Sequence, residues 1–247
     1  MQNTLNLLTF VLLSVAFIDG AVNPVHEDVV PHDVDTIFRA LGVPNCARKC
    51  IDPFLWNMKN MVNQTETFCS QHAQAITCLE KEQSCDPKKI FSKASSSVEY
   101  MCSTKRAVFH RMKDCLSPIV DDVMSACDEK CYLRSNLTAL AQKRTIKNLA
   151  TVGGDALLVA EYIEPLCSSV QCILPCVTKR LNNECPLSGW LTLDMLLQPF
   201  DAFSVMFKQP FSLLQRKIHS NIGERCSFMV RPIRLDRIRN GDFRGFT

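Results

Sequence analysis

Sulfur is where this chain concentrates its chemistry. Fourteen cysteines stand in 247 residues: Cys46, Cys50, Cys69, Cys78, Cys85, Cys102, Cys115, Cys127, Cys131, Cys167, Cys172, Cys176, Cys185 and Cys226. An even count, all of it downstream of an apolar leader, points to oxidised pairs in an exported protein. Three pairs have the spacing C-x-x-x-C: Cys46/Cys50, Cys127/Cys131 and Cys172/Cys176. Positions i and i+4 share one face of a helix. Two such sulfurs are badly placed to bond each other there, because disulfide geometry is narrow. Each is instead aimed at a neighbouring element, so a C-x-x-x-C facing cysteines on a second helix makes a doubly stapled pair of helices. Spacing alone leaves the connectivity open.

The rival uses of these side chains fare worse. Zinc sites group cysteines or histidines at shorter spacing, and an oxidising compartment consumes the thiolates that zinc needs. The five histidines, His26, His32, His72, His110 and His219, are scattered. No G-x-S-x-G or H-E-x-x-H is present. His72 comes three residues after Cys69, as a helical phospholipase would need, but no Asp or glycine-rich calcium loop accompanies it. The acidic pairs Asp121/Asp122 and Asp128/Glu129 are adjacent in sequence and splay around a helix rather than converge. No catalytic residue, metal site or cofactor is expected, and the chain is read as not an enzyme.

The elements that must position the cysteines are helices. Glycine is only 8 of 247 residues, too few for the tight turns of a sandwich or for a phosphate-cradling loop. Leu, Ala, Lys, Met and Gln favour helix. A first helix is expected over 34–41, ending at Gly42. Another runs from Cys46 and Cys50 through Phe54, Leu55, Met58 and Met61, and a third covers 67–81. Asp86-Pro87 opens a helix expected to run towards Cys102 and on to Cys115. Ser117-Pro118 opens the one carrying Cys127 and Cys131. Further helices are expected over 138–152 and from Asp155 to Ile163, with Pro165 and Pro175 breaking or kinking the chain beyond Ile163. The fold class is therefore all-α, disulfide-stapled helical hairpins or a bundle, with little or no β.

Residues 1–20 read as a signal peptide, with the uncharged run 5–18 and small residues at Gly20 and Ala21, although no Lys or Arg precedes the run. Residues 21–33 read as a mobile arm, 34–190 as the cysteine-rich helical domain, 191–226 as an apolar helical extension packed on it, and 227–247 as a basic tail. The leader carries one charge, Asp19, so cleavage takes the formal net charge of +3 up by one. That is too small to imply a nucleic-acid partner, and no span is left after cleavage. The product is expected to be secreted and extracellular. Asn63-Gln64-Thr65 and Asn136-Leu137-Thr138 are then usable N-glycosylation sequons.

Two stretches carry other options. Leu191, Leu193, Met195, Leu196, Leu197, Phe200, Phe203 and Phe207, within the cysteine-free 190–211, either line a groove for a lipid or partner or pack as core. Arg231, Arg234, Arg237, Arg239 and Arg244, against Asp236 and Asp242, form a tail that is either solvated and mobile or holds an anionic glycan by charge.

The run Cys46-Ala-Arg-Lys-Cys50-Ile-Asp-Pro-Phe, then Cys69, Cys78 and Cys85, the SSVEYMC ending at Cys102, and Asp114-Cys115-Leu116 resemble the nematode chondroitin-proteoglycan-4 domain family. Cys127-Asp-Glu-Lys-Cys131 and the cluster from Cys167 to Cys185 fit the same pattern, so the resemblance covers roughly 40–190. It implies a secreted cysteine-rich domain with no established enzymatic role, whose founding member bears chondroitin in the egg covering. Chondroitin is attached at Ser-Gly, and Ser188-Gly189 is the one such dipeptide here. Pro186, Leu187 and Trp190 around it read as packed, so the glycan is expected to be missing. The expected role is a structural or interaction domain of the extracellular matrix, partnered by matrix or another secreted protein. The alternatives are a carrier of a small apolar ligand, or a hormone or effector dimerised through Cys226, which stands apart from the other cysteines.

Overall fold

The structure is a computed structural model that describes residues 32–57, 61–82, 84–86, 89–207 and 223–246. Among the described residues there are helices and no strand. The expected signal peptide, and the arm up to residue 31, lie outside them. Helix α1 (His32–Ala40) buries Val34, Ile37 and Phe38, and stops at Gly42 with φ +78. Helices α2 (Asn45–Trp56) and α3 (Thr65–Lys81) pack against each other. Phe54, Phe68 and Phe91 meet between them at centroid separations of 5.0 Å and 5.7 Å. Arg48, inside the first C-x-x-x-C, ties α2 back to α1. It pairs with Asp52 at 2.7 Å and Asp35 at 2.6 Å, and its guanidinium lies 5.5 Å from the Phe38 ring centroid.

The single helix expected from Asp86 towards Cys115 is instead four pieces. They are α4 (Ile90–Ala94), α5 (Ser96–Glu99), a π-helical turn (Tyr100–Thr104) and α6 (Arg106–Leu116). The serine run explains the interruption. Ser95 Oγ donates to the Phe91 carbonyl at 2.8 Å and Ser103 Oγ to the Glu99 carbonyl at 2.5 Å. Serines bonding back one turn compete with the backbone ladder and bend helices. Asp86 does act as a start signal, its Oδ2 accepting from the Phe91 N–H at 3.1 Å.

Helix α7 (Val120–Cys131) comes next, then α8 (Leu133–Gln142) and α9 (Arg144–Thr151) where one helix was expected; Lys143, at ψ 132, separates them. Both pack on α1. Gly154, at φ +80, lets the chain turn into α10 (Ala156–Ala160) against the end of α1. A Cβ there would stand 2.2 Å from the Gly42 nitrogen, and the next residue, Asp155, donates its N–H to the Ala40 carbonyl at 2.8 Å.

Helix α11 (Glu164–Glu184) is the central post, touching α7, α8 and α12 (Ser188–Phe207). The expected break at its prolines does not occur. Pro165 lies in the first turn, where a missing N–H is harmless, and Pro175 lies inside a continuous helix beside the bridged Cys172 and Cys176. The chain resumes with a 3₁₀ helix (Glu224–Val230) and ends in α13 (Pro232–Arg239). The basic tail expected over 227–247 is thus folded as far as residue 246, which removes the mobile option for its described part. Phe228, Met229, Val230, Leu235, Ile238 and Phe246 are buried, and Phe228 lies 5.7 Å from Phe200 and 5.2 Å from Phe246. Apolar residues between the arginines supply the surface that holds it down. No helix among the described residues is long and apolar enough to cross a membrane.

Candidate functional site

All fourteen cysteines pair: Cys46–Cys85, Cys50–Cys78, Cys69–Cys102, Cys115–Cys185, Cys127–Cys176, Cys131–Cys172 and Cys167–Cys226. The first six bond among themselves and so do the last eight, which divides the chain between Cys102 and Cys115. The C-x-x-x-C of α7 faces that of α11 in antiparallel order, so two bridges close one helix pair a turn apart. The C-x-x-x-C of α2 is held by Cys78 on α3 and Cys85 just beyond it. Cys226, set apart in sequence, is bonded to Cys167 at a Cα separation of 5.1 Å and is fully buried. A leftover thiol for a hormone-like dimer is therefore not present at this position.

Among the described residues no group of three His, Cys, Asp or Glu is placed to hold a metal ion. His72 is buried between Phe54 and Phe91, and its Nε2 lies 2.7 Å from Ser95 Oγ. Burial lowers its pKa to about 4. The pair has the residue types of a nucleophile and its base. However, the Ser95 hydroxyl already donates to Phe91, so its oxygen accepts from the imidazole, and Ser95 has no exposed surface. The arrangement satisfies two buried polar groups.

The candidate attachment residues separate cleanly. Asn63 is exposed and accepts a hydrogen bond from Ser117. The Asn136 amide nitrogen, the atom a glycan needs, instead donates to Ser169 Oγ at 2.8 Å and towards the Pro165 carbonyl at 3.4 Å. Ser188 is fully buried, its Oγ donating to the carbonyls of Cys185 at 2.6 Å and Leu181 at 3.1 Å. Gly189 is where α12 touches α11, since a Cβ would stand 2.0 Å from the Thr178 carbonyl oxygen. The Ser-Gly dipeptide is thus a cap and a close helix crossing, with no room for a sugar. The apolar stretch behaves likewise. Leu193, Met195, Leu196, Leu197 and Phe200 are core residues and Leu191 is half-buried, which removes most of the described part of a carrier's lining. The side chains of Phe203 and Phe207 and residues 208–211 lie outside the described residues.

The charged residues near the C-terminus divide into two settings. Arg239 turns inward. Its Nε donates to Asp194 at 2.9 Å, its terminal nitrogens engage Asp201, and Tyr100 donates its hydroxyl to the other oxygen of Asp194. Burial first, then the bond to Asp194 and its charge, raises the Tyr100 phenol above its usual range. This cluster locks α13 to α12 and the π-helical turn, and every hydrogen-bonding group named in it has a partner. Arg244 pairs with Asp242 at 2.8 Å, which holds that carboxyl below the usual range.

Arg225, Arg231, Arg234 and Arg237 instead border a groove of about 780 Å³ between the 3₁₀ helix, α13 and α11. Glu224 is the one carboxylate among its described lining residues. Arg234 is braced by the Arg244 carbonyl and by the Phe246 ring, 5.5 Å from its centroid. The Cys167–Cys226 bridge ties α11 to the 3₁₀ helix that borders the groove. One turn along α11 from Cys167, on the same face, Gln171 donates its Nε2 to the Arg225 carbonyl at 2.6 Å. The other amide atom, Gln171 Oε1, is buried with no hydrogen-bond partner among the described residues. Sequence reasoning found Arg231, Arg234 and Arg237 but missed Arg225 and Gln171. Their signals were adjacency to the isolated Cys226 and the i+4 spacing from Cys167, and neither means anything until that bridge is known.

These features define a class: an all-helical domain clamped by disulfides throughout, with a cationic groove at its C-terminal end. Residues 35–247 match the family described as Chondroitin proteoglycan 4, and the chain belongs to that family. It is 20% identical over 276 residues to Chondroitin proteoglycan 4 of Caenorhabditis briggsae, covering 87% of this chain and 40% of the relative. To the Caenorhabditis elegans protein of the same name it is 20% identical over 250 residues, covering 79% of this chain and 31% of the relative. The chain thus spans well under half the length of these relatives. No solved structure matches it.

Proposed function

We propose that this chain is a secreted, non-enzymatic structural or interaction domain of the extracellular matrix that carries no glycosaminoglycan of its own. The observation that supports it most is the closed cysteine set: seven internal pairs and, among the described residues, no free thiol. Such a set is stable only where thiols stay oxidised. The relatives' name supplies the matrix context, and the burial of Ser188 supports the missing chain.

The test is mass spectrometry of the protein exported by expressing cells. Reduction is expected to add fourteen hydrogens, one pair per bridge, with glycan at Asn63 and an unmodified Ser188. Free thiols in the exported protein, retention of the protein inside the cell, or a heterogeneous chain removed by chondroitinase would each overturn the reading.

A further inference from the structure

We infer that the groove between the 3₁₀ helix, α13 and α11 is a binding site for a sulfated acidic polysaccharide, held by Arg225, Arg231, Arg234 and Arg237 and oriented by Gln171. This inference rests on the extracellular reading above, where such polymers occur. Four arginines line the groove, and Glu224 is the one carboxylate among its described lining residues. Arg225, Arg231 and Arg237 make no ion pair among the described residues, and all three are exposed. Arg234 and Arg237 lie three residues apart on α13, about 4.5 Å along its axis, and Arg231 stands just before its first turn. The result is a slowly winding row of cations, suited to a chain of anions more than to one ion. Guanidinium forks match sulfate and carboxylate geometry in pairs of hydrogen bonds.

The second observation is independent of charge. Gln171 is 5% exposed and lines the groove, and its Oε1 is an acceptor with no donor among the described residues. A buried acceptor left unpaired is costly. A bare anion has no donor for it, whereas a sugar hydroxyl admitted by a small shift of the Gln171 side chain does. An acidic glycan offers hydroxyl donors and repeated anionic groups together. A volume of about 780 Å³ falls within the usual range for small-ligand sites, roughly 300–1,000 Å³. Because the arginines are exposed, binding must weaken with salt.

The experiment is calorimetry of the intact oxidised chain with a heparin hexasaccharide, at low and at physiological salt. The full chain is expected to bind, with affinity falling as salt rises. Arg231→Gln/Arg237→Gln is expected to weaken binding about tenfold, about 1.4 kcal/mol. Lys179→Gln/Arg180→Gln, exposed on α11 away from the groove, removes the same charge and is expected to change little. Gln171→Met is expected to weaken the hexasaccharide but not polyglutamate, with melting of each variant read in parallel to exclude unfolding. Absence of binding at low salt, equal losses in the two charge-matched variants, or polyglutamate competing as well as the hexasaccharide would overturn the proposal, the last in favour of an acidic protein surface. Failure here leaves a seven-bridge exported protein standing. Free thiols in that protein would undermine the extracellular reading whatever the groove binds.

Discussion

The region from α2 to the π-helical turn and the segment 223–246 are held down by different forces. The first carries three bridges around an aromatic cluster of Phe54, Phe68 and Phe91, with His72 wedged inside. His72 and Ser95 face inward there and satisfy each other. The second is anchored by one bridge, one buried aromatic row and the Arg239 cluster, and it turns its remaining arginines outward. The same residue type therefore does two jobs within one short segment. Arg239 is enclosed by carboxylates and fastens the segment, while Arg231 and Arg237 have no such enclosure and face the groove. Covalent clamping lets a region be fully closed, whereas a region secured at a few points can leave charge free for a ligand.

The largest test of that contrast removes bridges. By loop size, with separations of 28 and 59 residues, Cys50→Ala/Cys78→Ala and Cys167→Ala/Cys226→Ala are each expected to lose about 4 kcal/mol on chemical unfolding. Their local effects should differ. The first is expected to spare amide-exchange protection in 224–239, and the second to abolish it there. Equal protection of that segment in both variants would break the comparison.

Acid sharpens the view of the first region. The His72 pKa is lowered to about 4 in the fold against about 6.5 in the unfolded chain. Between those values the unfolded chain binds the proton and the folded one does not. Stability is therefore complete above about pH 6.5 and falls as the pH drops towards 4, by roughly 3 kcal/mol in all. His72→Gln keeps a donor for Ser95 but does not titrate in that window. Its unfolding free energy is expected to decline less than that of the native chain between about pH 7 and about pH 4.5, and parallel profiles would show that His72 is not the sensor.

The smallest expected effect is at the ion-paired anchor. Arg239→Met leaves Asp194 and Asp201 without their cation, yet both carboxylates are about a third exposed, so water recovers much of the loss. A decrease of about 1–2 kcal/mol is expected, seen as faster amide exchange in α13 with the α2–α3 core unchanged. A global loss as large as that of a bridge deletion would mean that the two regions are not separately secured.

Much of the fold was legible in the chain. Glycine scarcity and helix-spaced apolar residues pointed to an all-helical protein, and C-x-x-x-C on α7 meant sulfurs on one face aimed at another helix. These signals are local, set by the 3.6-residue period and by cap chemistry, so a linear reading reaches them. The chondroitin-proteoglycan-4 resemblance was legible for a similar reason, because cysteine order survives in the sequence. Tertiary structure alone decided which sulfurs meet, that Ser188 and Gly189 are a helix crossing, that Asn136 spends its amide on Ser169, and that 224–239 is folded. It alone decided, too, that Gln171 reaches Arg225 and that Arg239 turns inward while Arg231 and Arg237 stay outside. Each depends on contacts between residues far apart in sequence, where a side chain's environment, rather than its identity, determines whether it is a fastener or a free hand.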